Sequence, residues 1–147
     1  MPKSKAYIIV RDDSDVLVCQ GGYVGNKLRQ GYHLPGGTLD KWESATAAVL
    51  RELKEETGVT LTSSSVTATV TTTNPPNVTF VVAVVSSVSE LVAAFNRPVI
   101  KNHYDQPFES LVALSKDNCW ENENFSDLYW TEWFRAGLFA AHDRALL

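Results

Sequence analysis

The chain is poor in cysteine, in positive charge and in long apolar runs, and each shortage removes a class of function. Cys19 and Cys119 are the only cysteines and show neither a C-x-x-C nor a metal-ligand spacing. Two are too few for a disulfide framework, and a reduced compartment fits them. Against 17 Asp and Glu stand 13 Lys and Arg, giving a net charge of −4 and a pI near 5.3. There is no basic stripe of the kind that neutralises a phosphate backbone, which argues against a nucleic acid polymer as partner. No stretch approaches the ~18 apolar residues of a membrane span, and the apolar run after the first five residues begins too late and ends too soon for a signal peptide. The expectation is a cytoplasmic protein without a membrane partner. Neither an internal repeat nor a low-complexity linker divides the 147 residues, of which 44% are hydrophobic and 20% charged, so a single domain over residues 1–147 is expected.

What the chain does have is concentrated in residues 37–59, GTLDKWESATAAVLRELKEETGV. The apolar spacing of Val49, Leu50 and Leu53, with Gly58 suited to a left-handed cap, predicts a helix over residues 44–57. On that helix Glu52, Glu55 and Glu56 fall at i, i+3 and i+4, three carboxylates on one face. Like charges at that spacing cost a few tenths of a kcal/mol per pair, so something positive is expected among them. Arg51 pairs with Glu55 at i,i+4 and Lys54 lies on the flank, and neither covers the Glu52/Glu56 edge. That leaves an oxygen-rich site for a hard divalent cation, for which magnesium is the expectation and manganese the substitute. Ala45 and Ala48, one or two turns earlier, leave room beside it.

The pattern of Gly37, five residues, Glu43, seven residues and then Arg51-Glu52-Leu53-Lys54-Glu55-Glu56-Thr57-Gly58-Val59 resembles a complete box of the Nudix hydrolase family. The box covers 23 of the 147 residues, with many fixed positions at rigid spacing. The resemblance implies an α/β/α sandwich around a mixed β-sheet. It implies further a Mg2+-dependent hydrolase that cleaves the diphosphate linkage of a nucleoside diphosphate derivative, a nucleoside triphosphate or an ADP-ribose-like molecule. The alternative is a non-catalytic module of the same fold that senses nucleotides. A sensor has no need of three mutually repelling glutamates, so the intact set favours the enzyme.

Around the box the chain reads as follows. Residues 6–10 and 16–20 are β-branched runs joined by the polar turn Arg11-Asp12-Asp13-Ser14-Asp15. A calcium loop beginning at Asp12 would need a glutamate where Tyr23 stands, so the turn reading holds. Residues 21–31 carry four glycines together with Lys27 and Arg29 and read as a surface loop. Residues 32–34 read as a short strand and Pro35-Gly36-Gly37 as a tight turn that leaves the Gly37 carbonyl free to face a metal. Residues 65–73 and 78–88, rich in Val and Thr, read as paired central strands around Asn74-Pro75-Pro76-Asn77. Residues 89–95 read as a short helix and residues 98–118 carry no consistent pattern. A last strand is expected over residues 128–131. A closing amphipathic helix follows over 132–147, with Trp133, Phe134, Leu138, Ala141 and Ala145 inward. Strands between helical layers agree with the sandwich that the resemblance implies.

Hydrolysis of a phosphoanhydride requires its charge to be neutralised, its phosphates held and a water activated. Glu52, Glu55 and Glu56 would hold the cation, with the Gly37 carbonyl as a further hard ligand. Arg51 either orients the glutamates or touches substrate phosphate, and its position beside Glu55 favours orientation. Glu43 suits the helix N-terminus, and the resemblance adds that it braces the box through Arg51. The family often recruits a later acid as metal ligand or base, for which Glu123 is the choice, with Glu121 beside it and Glu109 as runner-up. Lys27 and Arg29 are candidates for substrate phosphate, the loop around them leading straight into the box. Trp42 stands where this family commonly has glycine, and either packs the loop down or offers a stacking face to a base, burial being the commoner fate. His33 stands where a larger aromatic is often found. Pro75, sixteen positions beyond Val59, has a placement that the resemblance associates with ADP-ribose pyrophosphatases, but a proline-stiffened hairpin turn accounts for it more cheaply. The expected partner is a small nucleotide, with a homodimer allowed.

Overall fold

The computed structural model describes residues 4–101, 103–125 and 131–147. Its spine is β1 (Lys5–Arg11), an unbroken apolar run, AYIIV, in which Ala6, Ile8, Ile9 and Val10 are fully buried. A strand buried on both faces needs cover on both, and the two parities of β1 find it separately. Tyr7 and Ile9 join Phe80, Phe134 and Leu138 in one core, and Ala6, Ile8 and Val10 join Val49, Leu53 and Val81 in the other. The first core lies under α3 (Thr131–Asp143) and the second under α1 (Ala45–Thr57) and α2 (Val88–Ala93). The result is the expected α/β/α sandwich.

The main sheet runs in the order β6 (Val66–Thr71), β7 (Val78–Val84), β1, β2 (Asp15–Gln20) and β8 (Ser110–Ser115). β7 pairs with β1 in parallel from Lys5↔Val78 to Arg11↔Val84, and β6 pairs antiparallel with β7. β2 and β8 are antiparallel throughout. β1 and β2, by contrast, meet only at Arg11↔Val16, next to the hairpin turn. There Asp12 accepts the N–H groups of Ser14 and Asp15 at 2.8 and 2.7 Å, and its other oxygen accepts that of Val88 at 2.8 Å. The acidic turn therefore anchors the start of α2. Beyond it the two strands part, and the vacated edge of β1 is taken by β5 (Gly36–Thr38) through Lys5↔Thr38, Ala6↔Gly37 and Tyr7↔Gly36.

Several expectations are corrected by this arrangement. The Pro35-Gly36-Gly37 stretch is a strand from Gly36, and φ +151° with the backbone of Ala6 and Tyr7 pressed against it makes glycine necessary there. Residues 32–34 form no strand, only a bridge in which Cys19 and His33 exchange N–H···O bonds of 2.9 Å. The glycine-rich loop contains a small hairpin, β3 (Tyr23–Val24) with β4 (Lys27–Leu28). Of the two strands expected to be central, β7 is interior and β6 is an edge. The unpatterned stretch contains β8. The strand expected at 128–131 falls almost wholly outside the described residues, and Thr131 opens α3. No helix among the described residues is long and apolar enough to cross a membrane.

The contact between α3 and the sheet is close enough to test. A methyl group at Gly137 would run into the ring of Phe80, which is fully buried. Glycine to alanine in a helix interior ordinarily stabilises by about 1 kcal/mol, whereas overpacking a core costs roughly 1–3 kcal/mol. Gly137→Ala is expected to lower the thermal midpoint, and in the Phe80→Leu background the same change is expected to raise it. Calorimetry of the four proteins checks both signs.

Candidate active site

Helix α1 begins at Ser44, whose hydroxyl accepts the Ala47 N–H at 3.1 Å, and ends at Gly58, left-handed at φ 79°, whose N–H reaches the Lys54 carbonyl. Both ends fall where the spacing puts them. The carboxylate face does not lie where it was expected. Glu52 and Glu56 are only 8% and 6% exposed and share the buried side of the helix with Ala48, Val49 and Leu53, while Glu55 points outward.

The two buried acids are held differently. Glu56 accepts the Gly36 N–H at 2.8 Å with one oxygen, and its other oxygen faces the Arg29 guanidinium at 3.5 Å. Glu52 meets Arg51 at 3.1 Å. Burial, opposed by Arg51 and reinforced by Asp105 and Glu55, pushes the Glu52 carboxyl up to about 7. Burial and then the charge of Glu52 push Glu56 well above the usual carboxylate range, against the pull of Arg29. The expectation that neither Arg51 nor Lys54 covers the Glu52/Glu56 edge is corrected for Arg51, which touches Glu52, while Arg29 faces Glu56.

Arg51 is a hub. Its Nε and Nη2 donate to the two oxygens of Glu43 at 2.9 Å each, and its Nη1 lies 3.1 Å from Glu52 and 3.4 Å from Glu55. A fork on a carboxylate fixes the plane of the guanidinium as well as its position. The hydrogen bonds from Arg51 hold Glu43 down at about 2.

Arg29 is no surface cation. It is 5% exposed, donates to the carbonyls of Gly21 and Gln106 and to Asp105 at 2.9 Å, and lies over the Phe108 ring at 4.3 Å. These elements enclose a cavity of about 450 Å3 where β1 and β2 part. Glu52, Glu56, Asp40 and Asp105 form its acidic part, and Tyr7, His33, Phe108 and Phe134 its aromatic part. Tyr7 is buried there, and burial together with the nearby glutamates keeps its phenol protonated. The Gly37 backbone closes one wall, a Cβ at that residue coming within 3.2 Å of a Glu52 oxygen.

Of the other residues singled out from the sequence, Lys27 and Glu123 are exposed and neither lines this cavity, nor do Glu121 and Glu109. Trp42 is 93% exposed, which corrects the expectation of burial; its φ of 68° is the left-handed conformation that suits the glycine common there. Sequence reasoning missed Asp105 and Tyr7. The first sits in a stretch without periodicity, and the second was counted only as part of an apolar strand, although it is the one residue of that run with a polar tip.

A divalent cation fits this donor set on chemical grounds. Two adjacent carboxylates, buried and pushed towards neutrality, are a low-dielectric oxygen site that a hard cation would relieve. Among the described residues no three acidic, histidine or cysteine side chains converge as a ligand group, because Glu55 is turned to Arg51.

A family model described as NUDIX domain matches residues 1–129. No curated protein matches the chain significantly by sequence. Among solved structures, the chain is similar to the MutT protein of Methanosarcina mazei, with 21% identity, a TM-score of 0.62 and 97% and 94% of the two chains covered. It is similar also to the Ap4A hydrolase of C. elegans, with 15% identity, a TM-score of 0.56 and 100% of each chain covered. At such identities these likenesses speak for the fold alone.

The Arg51–Glu43 fork generates a prediction. A carboxyl held below its usual value of 4.5 contributes stability above that value and loses it as the pH falls towards about 2. Glu43→Gln is therefore expected to lower the thermal midpoint at neutral pH, with the difference from wild type shrinking as the pH falls below 4.5. A gap that stays constant from neutral to acid would exclude the charge of Glu43 as its source.

Proposed function

Because the chain belongs to the NUDIX domain family, we propose that it is a Nudix pyrophosphohydrolase that cleaves the diphosphate linkage of a nucleoside diphosphate derivative with a divalent cation, Mg2+ ahead of Mn2+. The observation that carries the reading is the buried Glu52/Glu56 pair in the wall of a cavity of nucleotide size. Two acids at that depth are costly to a fold that makes no use of them. A module that only sensed nucleotides would have no use for them, and they favour turnover.

Glu52, Glu56 and the Gly37 carbonyl would hold the cation, with Glu55 joining from the outer side. When bound, it neutralises charge on the diphosphate oxygens and acidifies water. Arg51 is a positioning residue: locked on Glu43, it sets the rotamers of Glu52 and Glu55. Arg29 steadies Glu56 and Asp105 from the opposite side and offers its remaining charge to the substrate. Water attacks one phosphorus of the diphosphate, the bridging P–O bond breaks, and the water's proton passes to a carboxylate of the cavity. Asp105 faces that space, whereas Glu123 would have to reach it from outside the lining. The aromatic part receives the base, with Tyr7 a neutral donor, while Lys27 and Trp42 approach a ligand only from the rim. Two substrate classes fit, a nucleoside triphosphate and an ADP-ribose-like molecule.

Purified protein with Mg2+ and a panel of nucleotides, read by phosphate or pyrophosphate release, tests the reading. Glu56→Gln is expected to lower kcat by about 100-fold or more. Its thermal midpoint is expected to fall modestly, since the amide still accepts the Gly36 N–H and Arg29 keeps Asp105, so the loss of activity is to be read well below that midpoint. Wild-type kcat in that variant at saturating Mg2+ would remove the reaction from this helix.

A further inference from the structure

A second concavity, of about 830 Å3, lies beyond Arg51 and Asp105 and runs along the outer side of α1 towards Gly58. Its near wall carries Arg51, Lys54 and Glu55, and its far wall is the segment after α2, with Arg97 and Lys101. Asp105 lines both this groove and the catalytic cavity, so the two are adjacent.

The groove is where positive charge collects in a chain of net charge −4. Four cations line it against two carboxylates, and both carboxylates are already engaged, Glu55 by Arg51 at 3.4 Å and Asp105 by Arg29 at 2.9 Å. Among the described residues, Lys54, Arg97 and Lys101 have no carboxylate within ion-pair distance. Arg97 is anchored by donation to the Pro107 carbonyl at 3.1 Å, yet its Nε is buried without an acceptor. Three cations on one surface without a carboxylate partner make an anion the ligand that balances them. The negative end of the α1 dipole disfavours an anion beside Gly58, which places the ligand towards Arg97 and Lys101.

We propose that this groove binds the phosphates of the substrate beyond the scissile linkage. The inference rests on the hydrolase reading and narrows it. A chain of three or more phosphates has charge to lay across Lys54, Arg97 and Lys101, whereas the ribose on the far side of ADP-ribose has none. The groove therefore selects polyphosphorylated nucleotides over diphosphates ending in a neutral sugar.

Titration calorimetry with inorganic tripolyphosphate, in metal-free buffer at low salt, tests the site apart from turnover. Wild type is expected to bind, Glu56→Gln to bind equally, and Lys54→Glu/Lys101→Glu to bind at least about tenfold more weakly. Both lysines are exposed, so the double variant is expected to keep the wild-type fold. Arg97→Lys, which keeps the charge but not the fork, should fall between. In turnover, the ratio of kcat/KM for adenosine tetraphosphate to that for ADP-ribose should drop about tenfold or more in the double variant. Tripolyphosphate that fails to bind wild type, or binds the charge-reversed protein equally, overturns the proposal, and so does an unchanged ratio. If wild type hydrolyses neither nucleotide, the hydrolase reading falls, and tripolyphosphate binding alone decides the groove.

Discussion

The hydrogen bond from Gly36 to the buried Glu56 carboxylate, 2.8 Å long, is the joint on which the working end of the molecule turns. It ties the last turn of α1 to β5 and through β5 to the central strand. The other oxygen of Glu56 faces Arg29, and Arg29 draws in the carbonyls of Gly21 and Gln106 with Asp105. One acid thus fixes two loops against one helix. Removing a single partner of a buried charge is costly because the remaining one is left uncompensated. The same carboxylate that a cation would use therefore also organises the backbone around it.

How much of this was legible depends on range. The limits of α1 could be read because a hydroxyl before the helix and a glycine after it act locally. The acids at i, i+3 and i+4 were legible as a face, but not as a buried one. Depth depends on β5 and on residues far along the chain, and no spacing rule carries that information. Arg29 read as a loop cation for substrate phosphate because two of its acceptors lie in a segment without periodicity, 76 and 77 residues away. Asp105 was invisible for the same reason. Trp42 was read by the habit of large aromatics, which its left-handed backbone at a loop tip overrides.

The cavity owes its mixed lining to the split in the sheet. In an uninterrupted sheet the α1 layer and the α3 layer would never meet. Because β1 and β2 separate after Arg11↔Val16, a gap passes between the layers. Glu52 and Glu56 enter it from one side and Phe134 from the other, with Tyr7 between them. An acidic wall and an aromatic wall can then face each other across a single space, which suits a ligand with a charged half and a flat half.

The parallel pairing of β1 with β7 also sets an order of events in time. Lys5 is matched with Val78, so the whole of α1 and β5 is looped out between two strands that must find each other. Closing a loop of that length directly costs about 4 kcal/mol in chain entropy, and the pairing of β5 with β1 from Lys5↔Thr38 shortens it. A nascent chain that has exposed the acidic helix but not β7 lacks the parallel partner that completes the cover of β1. Gly36 and Arg29, the partners of Glu56, precede α1 in the chain, so that pairing needs nothing from residues 78–84, whose docking completes the cover of β1.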